Sequence, residues 1–127
     1  MKNNSVLDEM SWKEDVDREL KRAREAGASG NDGRVRTCAR RAVGFALTEL
    51  QRRDPGMTLG EGFLVQLRGV MENERFPADV RDAARRLQAK IAVDFSSPSV
   101  DPLQDAMIIL AEVTARIGDT YSGSSER

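Results

Sequence analysis

The feature that most constrains this chain is the segment from Arg34 to Arg53, in which an apolar stripe and six arginines share one stretch. Glu49 is the one acidic residue within it. Apolar residues recur there at spacings of three and four, the period of one helix face: Val35, Cys38, Ala39, Ala42, Val43, Ala46, Leu47 and Leu50. The pattern predicts a helix over Asp32–Arg53 that is both a core element and the most basic surface of the molecule.

Composition favours a single helical domain. Of the 127 residues, 39% are hydrophobic, 32% are charged and 5% are aromatic, so Leu, Ala, Val, Ile and Met must form most of the core. A chain of this length can bury a substantial core within one domain. The net charge of −1 at pH 7 gives no overall electrostatic preference for a nucleic acid.

The cellular location is predicted from cysteine usage and from missing signals. Cys38 is the one cysteine, which excludes an internal disulfide and favours a reducing compartment. The start of the chain shows no signal-peptide pattern, and no apolar run is long enough to span a bilayer. We therefore expect a cytoplasmic protein of bacterial type with no membrane partner.

Two capping boxes predict the starts of the first and third helices. In this pattern a Ser or Thr side chain accepts a backbone N–H, and a Glu three residues later bonds back. The box from Ser11 to Glu14 predicts a first helix over 11–26, to which residues 5–10 could add a turn or two. The box from Thr58 to Glu61 predicts a third helix that ends near Glu74.

Prolines mark the starts of the fourth and fifth helices. Pro77 is expected at the first position of helix 4, where its missing N–H costs nothing. Within that helix, Asp82 is expected to pair with Arg86 one turn later. Asp101-Pro102 is expected to cap and open helix 5, and Gly118 is expected to end it.

These signals predict an all-α fold, an up-and-down antiparallel bundle of about five helices with short connections. No stretch shows the alternation that is typical of a strand. The domain is expected to span 11–118. A partly ordered segment, 1–10, precedes it, and a disordered tail rich in Ser and Gly, 119–127, follows it.

Several pieces of the chain follow one another in an order that a known family also shows. Ala39-Arg-Arg-Ala42 is followed by Ala46-Leu47 on the basic helix, and Phe76-Pro-Ala-Asp-Val80 opens the fourth helix. Asp94-Phe-Ser-Ser-Pro98 stands where that family carries an aromatic–Arg–Tyr–Pro-like segment, and a helix rich in Ala, Leu and Ile follows over Asp101–Ile117. In this layout the chain resembles the HEPN domain family over nearly the whole domain.

The HEPN resemblance implies a helical bundle that pairs with a second copy of itself and often has a nucleotidyltransferase-type partner. Many members are metal-independent ribonucleases, in which an Arg is followed four to six residues later by a His. This chain contains no histidine. The resemblance therefore implies a non-catalytic binding or interaction module, whose implied ligands are a nucleotide, RNA or a partner protein.

The lack of histidine also limits chemistry of other kinds. General acid–base catalysis near neutral pH most readily uses histidine, nucleophile pairs with Ser or Cys need it, and zinc sites draw on His and Cys. We therefore expect no enzymatic activity, no cofactor and no metal. Two alternatives stay open: a ribonuclease or nucleotide-processing enzyme with a site built from Arg and carboxylates, and a structural or regulatory dimer without a ligand.

The arginines of helix 2 have two interpretations. On a helical wheel Arg34, Arg41 and Arg52 fall on one edge of the apolar stripe, and Arg36 and Arg40 fall on the other. Their stems can cover apolar surface while their guanidinium groups pair with carboxylates of helices 3 and 5. Alternatively they form an anion site for phosphate, nucleotide or RNA, with Arg36, Arg40 and Arg41 as the candidate residues.

Three further residues are candidates for a dimer interface. Ile108 and Ile109 lie off the main stripe of helix 5, so that helix is apolar almost all round. Gly44 lies on the face of helix 2 away from its stripe and would permit another helix to approach closely. The pattern leaves open whether these residues are buried within one bundle or meet another chain. The HEPN resemblance favours a homodimer.

Overall fold

Five α-helices make up the part of the chain that the computed structural model describes, which is the backbone of residues 3–89 and 101–126 and the side chains of residues 11–89 and 101–118. The helices are α1 (Asn3–Ala28), α2 (Asp32–Arg53), α3 (Phe63–Met71), α4 (Ala78–Gln88) and α5 (Pro102–Glu126). These described residues include no strand, so the predicted all-α bundle is confirmed. A length and apolarity sufficient to cross a membrane are found in none of the described helices.

The central helix is α2, which packs against each of the other four. Its bounds are those predicted. Asn31 accepts the backbone N–H of Arg34 at 3.1 Å and so caps the first turn, and the helix ends before Asp54. Because small side chains allow helix axes to approach closely, one helix can contact four others. The stripe residues that solvent does not reach are mostly small: Ala39, Ala42, Val43, Ala46 and Leu47.

Larger apolar side chains from the surrounding helices complete the core. A partly buried ion pair joins α4 to α5, in which Arg86 donates to Asp105 at 2.7 Å. The predicted pair between Asp82 and Arg86 is therefore wrong, and Asp82 accepts from Arg85 instead. Fully buried core side chains include Leu50, Met57, Leu67, Phe76, Leu87, Ile109 and Val113.

The starts of α1 and α3 differ from the predictions. Since α1 already begins at Asn3, Ser11 lies inside the helix and does not cap it. The capping box from Thr58 to Glu61 precedes α3, which begins at Phe63 and ends at Met71. Gly62 occupies the capping position with φ at 91° and no side-chain bond, because the chain turns there through a conformation that favours glycine.

The starts of the last two helices follow the predictions closely. Pro77 immediately precedes α4 rather than opening it. The Asp101 carboxylate accepts the backbone N–H of Gln104 at 3.0 Å, and Pro102 is the first residue of α5. Gly118 does not end α5, which continues to Glu126, since a glycine inside a helix costs only about 1 kcal/mol relative to alanine.

Some predictions fall on residues outside the description. One is the Asp94–Pro98 segment, which lies within 90–100. Residues 1–2 and the side chains of 3–10 also lie outside it, so the partly ordered character of 1–10 stays a prediction. The side chains of 119–127 also lie outside it, and the disordered tail stays a prediction.

We expect Gly44→Ala to lower the free energy of unfolding by about 1–3 kcal/mol, the usual effect of overpacking. A Cβ at this position would lie 2.7 Å from the Cβ of Phe63 and 3.4 Å from its Cα. Urea denaturation followed by circular dichroism measures the change. Gly118→Ala is the matched control, because nothing lies within 4 Å of a Cβ there, and it should be neutral or slightly stabilising. Unchanged stability of Gly44→Ala would contradict the close approach of α2 and α3.

Candidate functional site

Arg40, a predicted anion ligand, fastens α2 to the end of α4. Its Nε donates to the carbonyl of Leu87 at 2.7 Å, and its Nη2 donates to the carbonyl of Ala89 at 2.9 Å. Carbonyls at a helix C-terminus lack helical partners and favour a nearby cation. Burial, together with the neighbouring charge of Arg36, lowers the pKa of Arg40. This arginine therefore caps a helix.

The other two anion candidates do not converge on one point. Arg36 is buried and lies on the same side of α2 as Arg40. Arg41 is exposed and lines a cavity between α2 and α3. The structure thus brings Arg36 and Arg40 together and places Arg41 elsewhere, in agreement with the helical wheel.

Glu49 neutralises the basic end of α2. It is 5% exposed, and it accepts from Arg52 Nη2 at 2.7 Å and from Arg53 Nε at 2.6 Å. Burial alone would raise the pKa of the Glu49 carboxyl, but the hydrogen bonds and charges of Arg52 and Arg53 outweigh burial and hold it below its ordinary value. Arg52 and Arg53 therefore both bond Glu49 within α2.

Cys38 is a buried core residue, as predicted, with 2% of its surface exposed. Burial raises the pKa of its thiol, and the nearby charge of Glu19 raises it further. Glu19 is itself buried, and its Oε2 accepts from Arg22 at 3.3 Å. A thiol with a raised pKa holds little thiolate at neutral pH and is a poor nucleophile.

The predicted interface residues take part in packing within the chain. Ile109 is fully buried in the core, and Ile108 packs against it while partly exposed. Gly44 does permit a close approach, as predicted, and the helix that approaches is α3 of the same chain. Two other residues carry the exposed apolar surface of α3, Leu64 at 39% and Val65 at 54%.

A groove crosses the outer side of α2, between α1 and the start of α3. Its floor is formed by Arg41, Phe45, Thr48 and Arg52, whose spacings of four, three and four place them on one helix face. Two adjoining cavities of about 230 Å³ and about 360 Å³ share Phe45 and Thr48. We call this feature the α2 groove. Its walls include Ser11, Trp12 and Asp15 of α1 and Phe63 and Gln66 of α3.

The α3 end of the α2 groove is the smaller cavity. The half-buried Phe45 and Phe63 supply its apolar lining. Gln66 is 3% exposed, and its Nε2 donates to Thr48 Oγ1 at 2.8 Å. Its other amide atom, Oε1, accepts no hydrogen bond from any residue that the structure describes.

Gln51 fixes the loop that leads into the α3 wall. Its Oε1 accepts the backbone N–H groups of Leu59 at 2.7 Å and Gly60 at 3.0 Å, and its Nε2 donates to the Gly60 carbonyl at 3.1 Å. Gly60 has φ at 119°, and a Cβ there would lie 2.5 Å from Val65 Cγ1. The loop thus depends on both a side-chain clamp from α2 and a backbone conformation that favours glycine.

The side chains that the structure describes were also compared with the ligand sets of metal sites. Among the side chains of 11–89 and 101–118, no three His, Cys, Asp or Glu residues gather in a way that could hold a metal ion. Of the residues in the α2 groove, the sequence pointed to Arg41 as an anion ligand and to Gly44 as an interface candidate. Phe45 was detectable as an aromatic residue outside the apolar stripe, whereas the contributions of Trp12 and Gln66 depend on tertiary packing.

Comparison with protein-family models finds no match for this chain. Comparisons with curated proteins and with solved structures find no match either. The HEPN resemblance therefore stays a prediction.

We expect Glu49→Gln to lower the free energy of unfolding at neutral pH by about 1–3 kcal/mol, because it removes charge-assisted hydrogen bonds to two arginines. The folded-state pKa of Glu49 lies below its ordinary value of 4.5. The stabilisation is therefore fully present above that pH and is lost as the pH falls through the folded-state pKa.

Urea denaturation of both proteins across this pH range measures the effect, and the difference between them should shrink in acid. Glu25→Gln is the matched control, since Glu25 is exposed and forms no ion pair with a described residue. A difference between wild type and Glu49→Gln that stays constant into acid would contradict the lowered pKa.

Proposed function

We propose that this chain is a non-catalytic protein-interaction module whose docking site is the α2 groove. The observation that carries the proposal is the groove itself, which has Phe45 between polar residues on its floor and walls from two other helices. Grooves of this kind accept helices or extended segments of partner proteins. The HEPN resemblance supports the same role, and a nucleotidyltransferase-type protein is the partner class that it suggests. A cytoplasmic location belongs to the proposal and rests on the single buried cysteine.

The alternatives have less physical support. An anion site for nucleotide or RNA was expected to use Arg36, Arg40 and Arg41, but Arg40 bonds two carbonyls and Arg41 lies apart. An Arg–carboxylate catalytic site would need a carboxylate with a raised pKa to serve as a general acid. Glu49, the buried carboxylate in the α2 groove, has a lowered pKa and is held by arginines.

We expect Thr48→Arg to abolish binding of a partner while leaving the chain folded, with a lower melting temperature because Thr48 Oγ1 no longer accepts from Gln66 Nε2. Thr48 is exposed on the groove floor, so a long side chain there fills the space that a partner would occupy. The measurement is co-purification of the tagged chain with the co-expressed product of an adjacent gene, above all a nucleotidyltransferase. Wild type should retain the partner and Thr48→Arg should lose it.

Thr114→Arg is the matched control, because Thr114 is exposed on α5 and does not line the α2 groove. Melting temperatures of both variants establish that each is folded. Equal retention of the partner by Thr48→Arg would contradict the groove as the docking site. Failure of wild type to retain any such product would contradict the partner class.

A second candidate function is self-association, which the exposed Leu64 and Val65 on α3 favour. These side chains lie outside the set that lines the α2 groove, so a homodimer and a groove-bound partner are compatible. We expect a species of twice the 14.1 kDa chain mass in light scattering and its conversion to monomer by Leu64→Asp. Met107→Asp is the control, since Met107 is 41% exposed on α5. A monomer in the unmutated protein at micromolar concentration would contradict self-association.

A further inference from the structure

The smaller cavity of the α2 groove has the size of a site for one side chain. Its volume is about 230 Å³, below the roughly 300–1,000 Å³ that is usual for pockets holding small-molecule ligands. Phe45 and Phe63 line it and are both half-buried. Aromatic side chains pair favourably with aromatic linings, and interface hot spots are often single aromatic residues held in such pockets.

A hydrogen-bond acceptor lines this cavity and favours an occupant that carries a donor. Gln66 is 97% buried, since only 3% of its surface is exposed, and its Oε1 accepts no hydrogen bond from the described residues. That oxygen lies 3.4 Å from the position that a Cβ of Gly44 would take, and Gly44 also lines the cavity. An occupant that fills the cavity would cut this oxygen off from water, and burial of a polar atom without a partner is costly. An occupant with an N–H or O–H group would satisfy it.

Arg41 supplies a charge at the same cavity. It is exposed, it lines the cavity, and it forms no hydrogen bond or ion pair with any described residue. Its guanidinium fork is therefore free to take a carboxylate in bidentate geometry. The cavity thus combines an aromatic lining, an acceptor and a cation.

We propose that this cavity binds a tryptophan side chain of a partner protein, with its indole N–H donating to Gln66 Oε1 and an adjacent carboxylate bonded to Arg41. The inference rests on the proposed function and names what the partner must carry. A second copy of the chain does not supply the side chain. Trp12, the one tryptophan in the sequence, is 7% exposed and belongs to the core.

The test is titration of ¹⁵N-labelled protein with four small probes, followed by NMR. The probes are N-acetyltryptophan, its amide, its 1-methyl analogue, and the dipeptide acetyl-Trp-Glu-amide. We expect saturable shifts of the Gly44 and Gly62 amides and of the Gln66 side-chain amide, with a Kd of about 1 mM for the acid. The amide, which lacks the carboxylate, and the 1-methyl analogue, which lacks the donor, should each bind at least about threefold more weakly.

Arg41→Ala separates the two contacts. Because Arg41 is exposed and unbonded, the variant should fold normally, and it should remove the preference for the acid over the amide while keeping the preference for the indole N–H. Gln66→Leu should do the reverse. Should Gln66→Leu fail to fold, the 1-methyl analogue tests the same hydrogen bond on the probe side.

Each outcome decides the inference. No shift of these signals at about 10 mM probe, a concentration tenfold above the expected Kd, overturns it, as does equal affinity for the acid, the amide and the 1-methyl analogue. Binding of the free acid without binding of the dipeptide would mean a pocket for free aromatic acids, which overturns the partner-protein form. Shifts of these signals on raising protein concentration without probe would mean that a second copy occupies the cavity, which also overturns the inference.

Co-purification with Thr48→Arg does not depend on these probes. A negative titration would therefore leave the α2 groove as the proposed docking site and would exclude only a tryptophan as its occupant.

Discussion

The positions of the other helices depend on how closely they can approach α2. Its inward face is built on alanines at positions 39, 42 and 46, all without solvent exposure, and its outward side has Gly44 where α3 lies nearest. A larger residue at any of these positions would push a neighbouring helix away. The groove exists for the same reason, since α1 and α3 both reach α2 without covering Phe45 and Thr48.

Several arginines of α2 are used in contacts within the fold and are therefore not available to a ligand. Arg40 is committed to the end of α4, and Glu49 engages Arg52 and Arg53. The guanidinium of Arg41 is different, since it forms no ion pair or hydrogen bond with the described part of the chain. Three of the six arginines are thus engaged within the chain. At the α2 groove, the partner chemistry that Arg41 favours is a single carboxylate rather than a polyanion.

Local signals predicted the structure well where local contacts determine it. The apolar stripe predicted the bounds of α2, whose first turn Asn31 caps, and Asp101 caps α5 as predicted. The start of α3 was missed because it depends on Gly60 and Gly62 and on Gln51, a residue eight or nine positions away.

The candidate site also depends on contacts between residues that are distant in the sequence, which local patterns do not reveal. The spacing of Arg86 and Asp82 suggested an ion pair, yet Arg86 bonds Asp105, nineteen residues away on another helix. Arg41 was identified because arginines are conspicuous on a helical wheel. The other groove residues come from three helices, and no periodicity within one segment shows that Trp12, Phe45 and Gln66 meet.

Gln51 has a consequence for how readily the groove can be used. The side-chain amide of Gln51 holds the loop before α3 against the last turns of α2. The α3 wall of the groove therefore keeps its position whether or not a partner is bound. A site that is preorganised avoids the loss of affinity that arises when only a fraction of molecules are in the competent conformation. Without these hydrogen bonds, α3 would adopt several arrangements, and a partner could bind only the open one. The apparent affinity would then fall in proportion to the population of the open arrangement, although no contact with the partner had changed.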